Sequence, residues 1–296
     1  MESIQFDALN SFVTLARTQR MADTTARLAV SRQTVARHLD YLTELFGAPV
    51  ITREGHRYTL TESGSRVLQQ AETLLQLSDA LVGSYNHSST IVDGLEQTRY
   101  HNTRGHDYRS QQHPLWRLWQ DGVPLLKDAY QAWKAADFEY ESPAAQPIKP
   151  YLNQYRKTEL GWFCSHVGEK SAYARWFGWE WAKSAVGTAT RNDPGGPDFD
   201  RFASKPYEPV ITQGVCRLDH HYVQLETRPD GSFDSVCYQR LILPFLLPDG
   251  SPILATVAAI TERIEITDFT VPQGASMPPE LLMDDVTILK ENRPLV

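Results

Sequence analysis

Four side chains within six residues, Arg32, Gln33, Thr34 and Arg37, carry the groups that hydrogen-bond to guanine, adenine and phosphate oxygens. Such groups read a surface only when a rigid element projects them together. Ser31 supplies its start, because a serine hydroxyl accepts from an otherwise unpaired N–H at a helix N-terminus. Val35, Leu39, Leu42, Leu45 and Phe46 then recur at helical spacing and make one apolar face. Gly47 ends the helix, and Pro49 keeps it from resuming. His38 adjoins the polar group. A second basic set, Arg53, His56 and Arg57, flanks Glu54-Gly55 between two short β-prone runs, 50–53 and 57–60, which read as a hairpin. An amphipathic helix with a solvated polar face is the plain alternative, and the neighbouring segments decide between the two.

Other residue types in the chain suggest other chemistry. All seven tryptophans fall between positions 116 and 181. Trp162, Tyr173, Trp176, Phe177, Trp179 and Trp181 are the candidates for stacking a planar or apolar ligand, and a core that needs bulk would use the same residues. His220 and His221 are adjacent on a β-prone run, so they point to opposite faces and do not share a metal easily. His101, His106, Asp107 and His113 are types found in mixed metal ligation, although histidines of polar loops are commonly solvated. Cys164, Cys216 and Cys237 are unclustered, which is neither a disulfide framework nor a zinc pattern. Gly-x-Ser-x-Gly, Gly-x-Gly-x-x-Gly and Gly-Lys-Ser/Thr signatures do not occur, so the expectation is a protein that is not an enzyme. Asp219 with His221 is the pair a hidden acid/base site would use. No cofactor is indicated.

Upstream of the basic helix, Phe6, Leu9, Phe12, Val13 and Ala16 make a first helical stripe. A second helix, about Ala22 to Ala29, is expected to be buried through Ala26 and Leu28. Only Val30 and Ser31 then precede the third helix, the spacing of a helix-turn-helix. Residues 6–75 resemble the winged helix-turn-helix of LysR-type transcriptional regulators. The matching stretches are Ala26 to Ser31, Val35 to Leu39, Leu42 to Gly47, Arg53, and Leu60-Thr-Glu-Ser-Gly64. Thr25, Ala36, Thr43 and Val50-Ile51 depart from the residues usual in that family. The resemblance implies binding to double-stranded DNA by Ser31, Arg32, Gln33, Thr34, Arg37 and His38 from the helix and by Arg53, His56 and Arg57 from the wing.

The net charge of −7 does not oppose this, because residues 1–75 hold eight arginines against eight acids and the remainder carries the excess. Val67, Ala71, Leu74, Ser78, Leu81 and Tyr85 alternate in steps of four and three, an a/d-type seam on a helix capped by Thr61. LysR-type regulators dimerise through such a helix, which implies a homodimer. No apolar run reaches the length of a membrane span, and no basic-then-apolar leader opens the chain. The expected compartment is therefore the cytoplasm, with no membrane partner.

Beyond the helix, the alternating strands and helices of the usual LysR effector domain are not apparent. Leu160 to His166 reads as a strand and 173–181 as short helices. Val215 to Thr227, Phe233 to Leu247 and Ile253 to Ile264 read as a meander, closed by Pro-Asp-Gly turns at 228–232 and 247–251. Residues 150–265 resemble a PAS sensory domain in this order, with one sheet covered on one face.

The expected fold class is α+β, with five segments. Residues 1–61 form the winged helix-turn-helix, 62–87 the linker and dimerisation helix, 88–112 a polar linker, 113–268 the PAS-like domain, and 269–296 a peripheral tail. The expected function is a dimeric, sequence-specific transcriptional regulator whose C-terminal domain meets a small-molecule or protein signal. The alternatives are a small-molecule enzyme tethered to DNA, and a regulator whose C-terminal domain only binds another protein.

Overall fold

A computed structural model describes residues 4–55, 57–83, 87–101, 106–158, 161–190, 195–226, 233–273, 275 and 277–288. The chain divides into two compact units, Met1–Tyr85 and Asn86–Val296. The architecture is α+β, a helix-turn-helix unit and then an antiparallel sheet with helices.

The first unit runs α1 (Phe6–Thr18), α2 (Met21–Leu28), α3 (Arg32–Phe46), β1 (Ile51–Glu54), β2 (Arg57–Leu60) and α4 (Glu62–Gly83). Leu9, Phe12 and Val13 of α1 pack with Leu42 of α3, Val50, and Ala71 of α4. Phe6, expected on that stripe, is 46% exposed at the helix start. In α2 the inward position belongs to Thr24, while Ala26 is exposed and Leu28 half-buried. A threonine can fill that slot because its hydroxyl is satisfied by Arg20 O at 2.9 Å and by the Thr18 hydroxyl at 2.7 Å. The winged arm is tied down tightly. Thr61 Oγ1 accepts from Gly64 N at 3.0 Å and donates to Pro49 O at 2.5 Å, so α4 starts hard against the strand before it.

The second unit contains β3 (His87–Val92), β4 (Leu95–His101), β5 (Asp107–His113), α5 (Arg117–Gln120), α6 (Pro124–Ala135) and a 3-10 helix (Pro143–Tyr151). There follow β6 (Leu152–Thr158), β7 (Gly161–Val167), α7 (Ala172–Phe177), α8 (Trp179–Ser184), α9 (Gly196–Ser204), α10 (Tyr207–Gln213), β8 (Arg217–Glu226), β9 (Phe233–Leu246) and β10 (Pro252–Ile260). One eight-stranded sheet takes the order β3-β4-β5-β8-β9-β10-β6-β7, with every neighbouring pair antiparallel.

Three sequence expectations are corrected here. Residues 88–112 are not a linker; they carry β3 and β4 and most of β5. Their polar composition suits an outer sheet region, where alternate residues such as Thr98 and Tyr100 still turn inward. Asp93-Gly94, both at positive φ, close the β3–β4 hairpin, a two-residue turn that the sequence displayed. Residues 269–288 are not peripheral, since Met277, Met283 and Ile288 are buried in the main core and Met283 N donates to Ile260 O. Finally, the sheet is covered on both faces. On β9 the odd positions meet α6 and the C-terminal segment: Gln239 accepts from Val123 N, Phe245 packs edge-on to Tyr140, and Cys237 N meets Met277 Sδ. The even positions 236, 238 and 240 meet α7, α9 and α10 instead.

The 247–251 turn forms as read, with Gly250 N donating to Leu247 O at 2.8 Å. The turn at 228–232, His56, Tyr85, and the side chains of Leu81 and Val82 lie outside the described residues.

Gly64 has a steric role. A Cβ there would sit 1.9 Å from Val50 O. Gly64→Ala should therefore lower the stability of the first unit by about 1–3 kcal/mol, the usual range for overpacking. Every tryptophan lies in the second unit, so helical circular dichroism should report the loss while tryptophan fluorescence keeps its midpoint.

Candidate functional site

The first candidate surface is the start of α3. Ser31 takes the N-cap, its side chain accepting from Thr34 N at 3.0 Å and bonding the Thr34 hydroxyl at 2.8 Å. Both residues therefore build the helix end, and Thr34 is half-buried. Ala29 adopts a left-handed conformation at the end of α2, which makes the turn into α3 tight. Arg32, Gln33 and Arg37 are exposed together, as are Arg20 and Arg27 nearby. The acidic residues of α3, Asp40 and Glu44, fall in its later turns. Positive charge and base-reading groups therefore concentrate at the N-terminal end, the end a recognition helix inserts into a major groove.

His38 faces the other way. Its Nδ1 lies 2.8 Å from the buried Ser11 hydroxyl of α1, so it ties two helices together rather than standing with Arg37. In the wing, Arg53 Nε donates to Gly55 O at 2.9 Å across the turn, and Arg57 is exposed. On α4, Val67, Leu68, Ala71 and Leu75 pack on the unit's own core, which leaves Leu74, 38% exposed, as the described leucine of the seam that faces outward.

The second candidate is a cavity of about 120 Å³ on the helical face of the sheet. Its floor is alternate residues of neighbouring strands: Asn153 and Tyr155 of β6, Thr256, Ala258 and Ile260 of β10, Val236, Tyr238 and Arg240 of β9. α7, α9 and α10 form its roof. Tyr173, Trp176 and Phe177 line it as the sequence suggested. Trp162, Trp179 and Trp181 do not. Trp162 packs edge-on to Tyr207, Trp181 packs at a tilt against Tyr173 and Phe177, and Trp179 is 40% exposed. Spacing could not separate these roles, because one helical turn spreads consecutive aromatics around the whole helix.

Sequence reasoning missed Arg240, the buried cation of the cavity wall. It closes a row of ion pairs that crosses the sheet. Lys205 and Arg217 reach Glu96 at 2.6 and 2.8 Å, while Arg217 and Arg240 reach Asp219 at 2.7 and 3.2 Å. Burial by itself would raise the Glu96 carboxyl, but hydrogen bonds from Lys205, Ser89 and Arg217 hold it at about 2. The surrounding run 238–243, Tyr-Gln-Arg-Leu-Ile-Leu, does contain the signal, a charge inside an otherwise strand-like core segment.

Asp219 and His221, the sequence candidates for acid/base chemistry, are both fully buried and lie outside the cavity lining. Asp219 is taken by the two arginines, and His221 Nε2 stands 4.0 Å from it. His221 stacks on Tyr238 at 4.5 Å, and among the described residues neither of its ring nitrogens has a hydrogen-bond partner. His220 points to the opposite face, its ring tilted against that of His113 at 3.9 Å and accepting from Glu265 N. Among the described residues, no cluster of His, Cys, Asp and Glu is placed to hold a metal ion. Burial pushes the Cys216 thiol up to about 11 and that of Cys237 to about 12, the opposite of a reactive thiol.

Residues 6–65 match the family model described as bacterial regulatory helix-turn-helix protein, lysR family. The N-terminal unit thus contains a LysR-type helix-turn-helix, and the match does not extend beyond it. Comparison with the curated proteins finds no match. Among solved structures the chain is similar to oxidized OxyR of Corynebacterium glutamicum, at 20% identity and a TM-score of 0.28, over 28% of this chain and 27% of that one. It is similar to the CbnR DBD–DNA complex at 26% identity and 0.26, over 28% and 94%. For the BenM DBD complex with benA site 1 DNA the values are 22% and 0.26, over 28% and 95%. The chain covers about a quarter of the OxyR length. No helix among the described residues is long and apolar enough to cross a membrane.

The buried histidines make the second unit sensitive to acid. Burial depresses His220 to about 3 and His221 well below its usual value, so both stay neutral in the folded chain. Unfolded, each takes up a proton below about pH 6.5. Stability is therefore full above that pH and falls as the pH drops, by about 4 kcal/mol for the two together between pH 7 and 5. Urea unfolding followed by tryptophan fluorescence should show this, and His221→Phe should remove about half of the slope. A flat profile would contradict neutral burial.

Proposed function

We propose that the chain is a sequence-specific, homodimeric DNA-binding transcriptional regulator whose second unit is a PAS-like sensor. The observation that carries the reading is the N-terminal end of α3. It is capped by Ser31, follows a tight turn, and presents Arg32, Gln33 and Arg37 within a segment matching a regulatory helix-turn-helix family. Arg32, Gln33 and Arg37 contact base edges. Arg53 and Arg57 of the wing hold phosphates, and His56 joins them in this reading. Thr34 and Ser31 offer their remaining hydroxyl capacity to the DNA, while His38 supports the helix from behind. The DNA complexes among the similar structures concern other proteins, and DNA as the partner here rests on the reading head itself.

Support for the PAS-like reading is the order of hairpin β6–β7, helices α7–α10 and meander β8–β9–β10, with β6 beside β10 in the sheet. In sequence, only residues 84–86 lie between α4 and β3. A cytoplasmic site of action follows from regulation of DNA. The second reading, a unit that only binds another protein, draws on the exposed Trp116, Trp119 and Phe138, at 59%, 52% and 41% exposure.

Selection of bound sequences from a random DNA pool, followed by footprinting, tests the assignment. Two half-sites about one helical turn apart are expected. Arg37→Ala should lose about 1–3 kcal/mol of discrimination at particular base pairs, whereas Arg57→Ala should weaken all DNA alike and lower the salt slope by about one. An unchanged footprint for Arg37→Ala would remove α3 from the role. Leu74→Glu should turn dimers into monomers in sedimentation velocity, and an intact dimer would move the interface elsewhere.

A further inference from the structure

We propose that the cavity binds a single-ring aromatic or heteroaromatic carboxylate carrying a hydrogen-bond donor at the far end of the ring, a proposal that rests on the sensor reading above. Size comes first. About 120 Å³ is comparable to the cavity of roughly 150 Å³ that takes up benzene in an engineered core, so one ring fits and two do not. The wall then selects for flatness, because Tyr155, Tyr173, Trp176, Phe177, Tyr207 and Tyr238 surround the space with ring faces and edges.

Two buried polar atoms, on residues that line the cavity, set the ends of the ligand. Among the described residues Arg240 Nε has no hydrogen-bond partner, although Nη1 donates to Ala203 O and Nη2 to Asp219 Oδ2. Asn153 Oδ1 is likewise a buried acceptor without a partner. A buried donor and a buried acceptor left unpaired each cost stability, and a ligand that meets both recovers it. The row behind Arg240 holds three cations, Lys205, Arg217 and Arg240, against two carboxylates, Glu96 and Asp219. The surplus is positive, so an anionic oxygen is the group Arg240 would accept. Asp200, the other charged residue of the wall, is half-buried and has an interaction of its own. Arg240 pairs across β9–β10 with Ala258, and Asn153 across β10–β6 with Thr256. The two residues therefore stand two strands apart and are offset by two residues, about 12 Å at the backbone, which places carboxylate and donor at opposite ends of the ring.

Titration calorimetry of the full chain tests this with four probes: 4-hydroxybenzoate, benzoate, 4-hydroxybenzamide and toluene. The expected result is binding of 4-hydroxybenzoate, at least tenfold weaker binding of the uncharged amide, and weakest binding of toluene. Asn153→Leu should weaken 4-hydroxybenzoate more than benzoate. Ala258→Leu fills the space, and should abolish binding of every probe while the unfolding midpoint holds. Equal affinity for acid and amide, or indifference to Asn153→Leu, would overturn the proposal. Binding of toluene without the acids would overturn it and leave the sensor reading standing. If no probe binds while the protein still holds DNA, the ligand-sensing reading falls with it.

Discussion

The ion pair between Arg240 and Asp219 is the constraint on which the second unit turns. β9 is paired on both sides and covered on both faces, so nearly every side chain from 236 to 245 is out of water. A guanidinium there is tolerable only with its charge matched and most of its donors used. Asp219 stands directly opposite it on β8, and Ala203 O of α9 takes a further donor. Removing either member of such a pair costs about 3–5 kcal/mol in proteins. The same arrangement fixes the register of β8 on β9 and the position of α9 over the sheet. It also leaves Nε as an unused donor in the cavity wall, so structural need and binding capacity meet in one residue.

The two units solve different problems. In the first, the surface proposed to meet DNA is built from residues near in sequence: a cap, a tight turn and two short strands. In the second, the binding space is built between distant segments. Strand alternation sends every second residue of β6, β9 and β10 to the same side, and short helices close over them. The first can be altered one side chain at a time. The second responds as a whole, because floor and roof share residues with the core.

Much of the reading head was legible because its signals are local. Ser31, Gly47 and the apolar spacing of α3 set that helix without reference to anything else, and the 247–251 turn was equally self-contained. His38 was misjudged because its partner, Ser11, lies on another helix, and no spacing within α3 shows that. The strands in 87–113 were hidden by polar composition, although Asp93-Gly94 marked their turn. The C-terminal segment looked peripheral because its prolines suggested a loop, while the packing of Met277 and Met283 against β9 and β10 depends on a sheet that forms elsewhere in the chain.

Sequence alone determined the α+β class, the helix-turn-helix, and the meander that ends the sheet, because capping, periodicity and turn chemistry are properties of short stretches. Tertiary structure decided which aromatics face the cavity, that β6 lies beside β10, and that Arg240 stands opposite Asp219. Those facts depend on the pairing of strands far apart in the chain, and a one-residue change of register would reverse every face.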